Sequence, residues 1–440
     1  MQKKILKLYD AIASHLYLGE ETLFLNENSY DPVTLFGIIT LLIDGKELVF
    51  GGYGSGKTTS SERMASLVKG LPLEFVQATT IHGHPEQTEE KIKAVLDLGV
   101  LEREGKEVIR WKIIPYSPVV IIDEINRLPV GKQNMLLNEV DRNIWSYRGE
   151  TLIVKTPKAF FATINYHDTG TTKLIPPLSD RFDIAVETGS LHPIRKRAIR
   201  RGIDDTLLRE PHLTEEMIKF ILSHNHTDEA ELVTDFIDKT AEDFKKEIER
   251  RFKGEGIEIE IPTQEEIAEI KAEIRKIELS EDAELFLDYI TQEVYCHYST
   301  VKDFSRCHGC HYYNYICSDL YSISNRAEQS LLKYAKVLAW LSEEEEVNLE
   351  HLLNVIPYSL WHRVSISDRK ISEVREIEKT TSDSFHAVIE LINDARKRWN
   401  EHRDYQIELY FAFKEGNFRR VKEIAEKQHH PVFKAFLRGL

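Results

Sequence analysis

The chain has 440 residues, enough for about three domains, and its content of 42% hydrophobic and 30% charged residues is that of a globular protein. Its apolar run at residues 35–43 falls far short of the ~20 residues that a membrane span needs, which excludes a membrane-spanning protein. Asp10 and His15 interrupt the amino-terminal segment, which lacks the apolar core and cleavage site of a secretion signal, so we expect a cytoplasmic protein.

The net charge of −15 is concentrated in one part of the chain. Residues 204–300 contain 27 acidic and 11 basic side chains, a net charge of −16, so the other 343 residues together carry +1. We expect this acidic block to form solvated helix faces, and it is a candidate surface for a partner. Because phosphate binding requires a concentrated positive field, a generic nucleic-acid coat is disfavoured.

The predicted elements begin with a largely helical segment over residues 1–35. From residue 36 to 190, short β-branched runs alternate with helical segments. This alternation predicts an α/β core with a five-stranded parallel sheet buried on both faces by crossover helices. The predicted strands are Glu47–Phe50, Leu73–Gln77, Val119–Ile122, Ala159–Ile164 and Ile184–Glu187.

Two inserts interrupt the alternation, a helix followed by a short alternating run within residues 85–113 and a hairpin at 145–154 that turns near Gly149. The rest of the chain is predicted to be helical. We divide it into an all-α lid at residues 191–363, which includes the acidic block, and a helical carboxyl-terminal appendage at 364–440. The strongest predicted helices are Asn325–Leu341, Asn348–Arg363 and Ser372–His402.

The first chemical motif fits G-x-x-x-x-G-K-[ST] and lies between an apolar strand and a helix. Its glycines let backbone N–H groups curl around phosphates at the amino end of a helix. Lys57 is expected to contact the β- and γ-phosphates of ATP, and Thr58 to bind Mg²⁺. The candidate nucleotide-binding residues are Gly51, Gly52, Tyr53, Gly54, Ser55, Gly56, Lys57, Thr58 and Thr59.

The second motif is the apolar run Val119–Ile122 followed by Asp123 and Glu124. A buried strand delivers Asp123 to its carboxyl end, where it can bind the Mg²⁺ ion, and Glu124 can polarise an attacking water. A third strand ends at Asn165, whose amide could orient that water, although asparagine is also an ordinary turn residue. Arg181 lies before the last strand and could neutralise charge on a neighbour's γ-phosphate, although a lone arginine is usually a surface residue.

Three strings together resemble the MoxR family of AAA+ ATPases over residues 36–363: Glu124-Ile125-Asn126-Arg127 with Gln133 and Leu136-Leu137, then Phe161–Asn165, then Leu178–Phe182. The resemblance implies that Asn165 is the sensor 1 residue and Arg181 the arginine finger. Ser324-Asn325-Arg326-Ala327 resembles the sensor 2 segment, which makes Arg326 a second phosphate-sensing arginine. Whether either arginine acts within its own subunit or in a neighbour stays open.

The family resemblance also implies a hexameric homo-oligomeric ring that remodels or assembles protein partners, often with a von Willebrand A-domain protein. The two inserts resemble the helix-2 insert and the pre-sensor hairpin, which in relatives face the pore or the partner. Tyr53 stands where the family usually has proline, which alters loop stiffness. Tyr166 also replaces a common proline.

All four cysteines lie within 22 residues, at Cys296, Cys307, Cys310 and Cys317. Four thiolates suit Zn²⁺ in a closed tetrahedral site, and the same pattern suits a [4Fe–4S] cluster. Disulfides or free thiols are the remaining alternative. We expect a structural metal clasp in the lid, with His297, His308 and His311 not serving as ligands.

The leading hypothesis is therefore a MoxR-type ring ATPase that acts on protein partners. One alternative is a nucleic-acid-directed motor of the helicase or restriction type. Such a motor is expected to have basic inserts, and the inserts of this chain offer only a few basic residues, Arg110, Lys112 and Arg148. Another alternative is a nucleotide-dependent assembly scaffold with slow turnover.

Overall fold

The structure is a computed structural model that describes residues 1–166, 172–189, 191–296, 307, 310, 312–320, 322–377 and 383–438. It divides into two compact units, residues 1–275 and 276–440. The first unit thus contains the predicted amino-terminal segment, the α/β core and the first part of the predicted lid. In the described part of the chain, no helix is both long enough and apolar enough to cross a membrane.

A five-stranded sheet forms the centre of the first unit, and three antiparallel hairpins lie outside it. The strands of this unit are β1 (Leu23–Leu25), β2 (Asn28–Tyr30), β3 (Lys46–Gly51), β4 (Ile81–His82), β5 (Ala94–Leu96), β6 (Ile109–Trp111), β7 (Val119–Asp123), β8 (Ile144–Tyr147), β9 (Glu150–Ile153), β10 (Ala159–Asn165) and β11 (Ile184–Glu187).

Helices cover this sheet and continue beyond its last strand. They are α1 (Gln2–Ala11), α2 (Pro32–Ile43), α3 (Lys57–Lys69), α4 (Leu73–Ala78), α5 (Glu89–Ile92), α6 (Leu98–Glu104), α7 (Val130–Asn134), α8 (Leu137–Arg142), α9 (Pro176–Ser179), α10 (Pro193–Arg200), α11 (Pro211–Ser223), α12 (Ala230–Gly254) and α13 (Gln264–Lys276).

The sheet order is β11-β3-β10-β7-β4, with every pair parallel, which confirms the predicted parallel α/β core. The central strand β10 is buried at all seven positions, as expected of a strand covered on both faces. Pairing of β8 with β9 confirms the hairpin, and Gly149 has φ of +86° at its turn. The other insert forms a second hairpin, β5 with β6, around α6.

One predicted strand is wrong. Residues 73–77 form α4, and the edge strand of the sheet is instead β4, only two residues long. A short apolar run fits a buried helix as well as a strand, and here Pro72 occupies the N-cap position, with its carbonyl accepting bonds from the N–H groups of Phe75 and Val76.

The second unit is almost entirely helical, as predicted for the lid and the appendage. Its elements are α14 (Glu281–Val294), α15 (Asn325–Leu341), α16 (Leu349–Leu360), α17 (Asp368–Ile377), α18 (Asp383–Lys414), α19 (Phe418–Lys427), α20 (Pro431–Arg438) and the short parallel pair β12 (Glu278–Leu279) and β13 (Glu346–Val347).

A buried carboxyl group lies inside the sheet of the first unit. Glu47 on β3 has no exposed surface, and its Oε2 accepts a hydrogen bond from the Thr40 hydroxyl at 2.8 Å, while Oε1 has no hydrogen-bond partner among the described residues. Burial raises the pKa of Glu47 well above its ordinary value, the Thr40 bond opposes this, and the nearby carboxylate of Asp31 adds to it. The folded chain therefore binds the Glu47 proton more tightly than the unfolded chain does.

This raised pKa predicts how stability depends on pH. The contribution of Glu47 to stability is fully present below its unfolded pKa and is lost as pH rises through its folded pKa. Glu47→Gln keeps the shape but has no ionisable proton, so we expect it to raise the free energy of unfolding at pH 8 by roughly 1 kcal/mol or more, and by less at pH 5. Urea unfolding at both pH values measures this, with the exposed Glu102→Gln as control, and an equal change at the two pH values would contradict it.

Candidate nucleotide-binding site

Three adjacent strands of the sheet bring the predicted site residues together. Because the strands are parallel, Gly51 of β3, Asp123 of β7 and Asn165 of β10 all lie at the carboxyl edge, where Asn165 stands opposite Gly51 in the strand register. This is the edge at which open α/β sheets bind their ligands. The predicted first and second motifs therefore form one site.

The phosphate-binding loop joins β3 to α3. Gly56 is the N-cap of α3 with φ of +83°, a left-handed conformation that favours glycine, and a Cβ atom there would also lie 3.3 Å from the ring of Tyr17. Ser55 donates a hydrogen bond to the Gly52 carbonyl at 2.9 Å and accepts one from the Thr188 hydroxyl at 2.8 Å. The loop thus leaves the amino end of a 13-residue helix facing the site.

A hydrogen-bonded chain links the lysine of the loop to the candidate catalytic carboxylate. Lys57 Nζ donates to Asn165 Oδ1 at 2.6 Å and to the Gly52 carbonyl at 2.7 Å, and Asn165 Nδ2 donates to Glu124 Oε1 at 2.5 Å. Glu124 Oε2 in turn pairs with Arg127 Nη1 at 2.9 Å. Burial lowers the pKa of Lys57, and the carboxylates of Asp123 and Glu124 oppose this.

Oxygen atoms suited to a magnesium ion meet beside this chain. The Thr58 hydroxyl donates a short hydrogen bond to Asp123 Oδ1, and the Thr163 hydroxyl donates to the same oxygen at 2.8 Å. A hydroxyl and a carboxylate are the ligands that Mg²⁺ takes when it also binds nucleotide phosphates. Thr58 and Asp123 therefore fit the predicted magnesium site.

Glu124 is held in an unusual backbone conformation. Its φ and ψ of +50° and +49° lie in the left-handed region, which costs a residue with a side chain of order 1–3 kcal/mol. Its N–H donates to the Thr163 hydroxyl at 2.8 Å, and Gly83 packs so closely that a Cβ there would lie 2.1 Å from the Glu124 carbonyl oxygen. Such strain, held by specific contacts, is typical of catalytic residues.

The polar residues of the 124–133 segment fix the loop that follows it. Asn126 Nδ2 donates to the Asn165 carbonyl at 3.0 Å. Gln133 has no exposed surface and bonds the Leu128 carbonyl at 3.0 Å and the Ile175 N–H at 2.8 Å. Asn126 and Gln133 therefore have a structural role in fixing this loop, which explains why they belong to the motif without contributing directly to the chemistry.

A cavity of about 720 Å³ opens beside the phosphate-binding loop. Leu16–Leu18 line one side, and Ile199 of α10 lines another, together with Lys196 and Arg200. Apolar walls next to a phosphate site suit a flat nucleotide base. The cavity thus extends the site far enough to hold a whole nucleotide.

Arg181 lies away from the phosphate-binding loop within the first unit, and Arg326 belongs to the second unit. Arg181 Nη1 donates to the Pro177 carbonyl at 2.5 Å, and its Nε lies 3.5 Å from Asp141 Oδ2. It precedes β11, which begins beside the first residues of β3, so the length of β3, roughly 17 Å, separates Arg181 from the loop. Arg326 lies in the second unit, in the first turn of α15, after the N-cap Ser324.

The four cysteines do not form a metal site in the described residues. Cys310 N–H donates to the Cys307 carbonyl at 3.0 Å, which makes a tight turn, and the Tyr312 N–H donates to Cys310 Sγ at 3.5 Å. Yet no group of three or more His, Cys, Asp or Glu side chains in the described ranges is placed to hold a metal. His297, His308 and His311 lie outside the described residues. The described residues therefore do not support the predicted zinc or iron–sulfur clasp at the four cysteines.

Comparison with known proteins agrees with this geometry. Residues 47–182 match the AAA domain of the dynein-related subfamily, and residues 316–383 match the AAA lid domain. The chain contains an AAA+ ATPase module. The first match spans the phosphate-binding loop, strands β7 and β10, and Arg181. An AAA+ module implies the use of nucleotide and Mg²⁺. The second match begins inside the cysteine segment, includes Arg326, and assigns that part of the second unit to the lid.

A solved structure shows the same fold. A predicted ATPase from Cytophaga hutchinsonii has a TM-score of 0.56 and 17% identity, covering 87% of this chain and 96% of that chain. A full-length MCM homologue from Methanopyrus kandleri has a TM-score of 0.38 and 10% identity, covering 75% of this chain and 54% of that chain. No curated protein matches the sequence.

Sequence reasoning missed three residues of the AAA+ site. Thr163 supports both Asp123 and Glu124, Gly83 packs against Glu124, and Arg127 pairs with it. The available signal was the position of Thr163 two residues before Asn165, the polar end of β10, because alternation places its side chain on the face shared with Phe161 and Asn165. Gly83 gave no comparable pattern, because its role depends on a tertiary contact. Arg127 belongs to the motif string but was given no role, although it lies three residues after Glu124 and its ion pair is local.

Proposed function

We propose that the chain is a ring-forming ATPase of the MoxR type, which uses ATP hydrolysis to remodel or assemble protein partners. The observation that supports hydrolysis best is the chain of contacts from Lys57 through Asn165 to Glu124, because it couples a phosphate-binding group to a general base. The match to an AAA domain and an AAA lid domain supports the remodelling role. A protein client or a von Willebrand A-domain protein is the proposed partner.

Each residue of the site can have a separate role in ATP hydrolysis. Lys57 and the amino end of α3 bind and orient the phosphates. Glu124 takes the proton of the attacking water, and Asn165 holds that carboxylate and the water in position. Thr58 and Asp123 would hold Mg²⁺, which neutralises charge on the β- and γ-phosphates. When ATP arrives, its phosphates compete with Asn165 for the Lys57 ammonium group.

Arg181 is proposed to act in the site of a neighbouring subunit. Within its own chain it is turned toward Asp141 and Pro177, at the far end of β3 from the phosphate-binding loop. The guanidinium group of one subunit can enter the nucleotide site of a neighbouring subunit at the carboxyl edge of that neighbour's sheet. This supports a ring in which each site is completed by the next copy.

The proposed chemistry predicts the behaviour of Glu124→Gln. This amide cannot accept the proton of the water, so we expect kcat to fall by about 10²–10⁴-fold while ATP binding is retained. Steady-state phosphate release and ATP titration measure the two quantities. Because the variant stays in the ATP state, its pull-down from the native cell should enrich the protein client, with Glu102→Gln as the matched control. Unchanged kcat would contradict the assignment of the base.

The proposed ring predicts complementation between two inactive variants. Lys57→Ala subunits lose their own site but keep Arg181, and Arg181→Ala subunits keep their site but lack the arginine. If Arg181 acts in a neighbour, mixed rings contain some complete sites, and the mixture should hydrolyse ATP at least several-fold faster than either variant alone. A mixture no more active than the sum of its parts would place Arg181 outside the neighbour's site.

A further inference from the structure

A strongly basic helix lies exposed on the first unit. Five of the seven residues at 195–201 are Lys or Arg, and no acidic residue occurs from 188 to 203. None of the residues of α10 is buried, and Ile194 and Ile199 are 68% and 39% exposed. We call α10 together with Arg201 the basic helix surface. Lys196, Ile199 and Arg200 also line the nucleotide cavity. Ile194, Arg197 and Arg201 do not, and this outer part of the helix is typical of a surface that a partner covers.

Most of these cations have no acidic partner in the same chain. Arg195 tethers the helix, donating to Glu21 Oε1 at 2.5 Å and to the carbonyl of Gly19. Among the residues that the structure describes, no carboxylate forms an ion pair with the other four cations of the surface, which are Lys196, Arg197, Arg200 and Arg201. The surface therefore keeps a net positive charge that a partner can neutralise.

Helix α12 of the same unit has the opposite charge. Residues 204–275, which contain α12, have 21 acidic and 10 basic side chains. Four acidic residues of α12 recur at intervals of four, three and four, which places them on one side of the helix. We call this the acidic helix face, and it consists of Glu231, Asp235, Asp238 and Glu242.

The acidic helix face is only partly neutralised. Lys155 pairs with Glu231 at 2.7 Å, and Lys245 pairs with Glu242 at 2.7 Å. Within the described residues, no Lys or Arg forms an ion pair with Asp235 or Asp238. Burial raises the pKa of Asp238, and a hydrogen bond from Gln264 opposes this. The carboxylates of Asp235 and Glu242 add to the rise, whereas the Lys69 ammonium group opposes it. The part of this face that a partner can reach is its exposed end, Glu231 and Asp235.

The two surfaces lie at opposite ends of α3 and cannot meet in one chain. The basic helix surface lines the cavity beside Gly56 and Thr59, at the amino end of α3. The middle of α12 packs on the carboxyl end, where a Cβ on Gly70 would lie 2.5 Å from the Ala241 carbonyl oxygen. Thirteen helical residues span roughly 20 Å. The charges can therefore pair only between copies.

We propose that the basic helix surface of one copy docks on the acidic helix face of the next copy. Because the contact joins two different surfaces, it is heterologous, and such contacts close into rings when the rotation permits. The inference rests on the proposed ring and names a surface that builds it. Ion pairs between exposed side chains also make the contact sensitive to salt.

Charge reversal on each surface tests the contact. Arg197→Glu/Arg201→Glu reverses two cations that do not line the cavity, and Glu231→Lys/Asp235→Lys reverses two exposed acids of α12. The control, Lys3→Glu/Lys219→Glu, reverses two exposed lysines outside both surfaces. Sedimentation velocity of the full chain with Mg²⁺ and ATP measures association, and circular dichroism checks that each variant is folded.

We expect each reversed variant alone to associate at least tenfold more weakly than the wild type and the control. An equal mixture of the two should recover wild-type association, because the reversed surface of each variant then faces a complementary surface on the other. Wild-type association of either folded variant, or a mixture that stays dissociated, would overturn the proposal.

Two further readouts separate this proposal from others. If the Arg197→Glu/Arg201→Glu variant associates normally but loses binding to a labelled DNA oligonucleotide that the wild type binds, the surface serves nucleic acid and the proposal is overturned. If the reversed variants associate normally while Lys57→Ala and Arg181→Ala still complement each other, the ring stands and only this docking surface is wrong.

Discussion

The hydrogen-bonded chain from Lys57 through Asn165 to Glu124 is the interaction on which the account of this chain depends. It exists only because β3, β10 and β7 are adjacent and parallel, so that the ends of the three strands meet at one edge. An antiparallel neighbour would carry its last residue to the opposite edge. The order of the strands is therefore a requirement of the chemistry as well as of the packing.

Two residues with a left-handed backbone conformation lie at this same edge of the sheet. Glycine supplies the left-handed turn at Gly56, whereas Glu124 adopts a left-handed conformation despite its side chain. Thr163 and Gly83 hold it there, through a hydrogen bond and a close backbone contact. The backbone of the proposed general base is therefore held by two separate contacts.

Much of the fold and most of the nucleotide site could be predicted from the sequence, for physical reasons. Four strands were found because their short apolar runs alternate with helical segments in the order expected of a parallel α/β core. Leu73–Gln77 was mistaken for a strand because periodicity cannot separate a short buried helix from a strand. The basic segment at 195–201 was overlooked, because the net charge was summed over long stretches of the chain. Such a sum does not reveal a short run of basic residues. In the appendage, Trp399 and Phe433 are buried, whereas Phe411 and Phe418 are 44% and 52% exposed, a difference that the helical pattern alone did not predict.

The effect of Asn165→Ala tests the central claim most directly, because Asn165 joins the phosphate-binding group to the general base. We predict that kcat for ATP hydrolysis falls by at least about tenfold while the affinity for ATP stays within a factor of a few, since Lys57 and the loop remain. The exposed Asn28→Ala should change neither quantity. An unchanged kcat, or a loss of ATP affinity that accounts for the whole defect, would contradict the account.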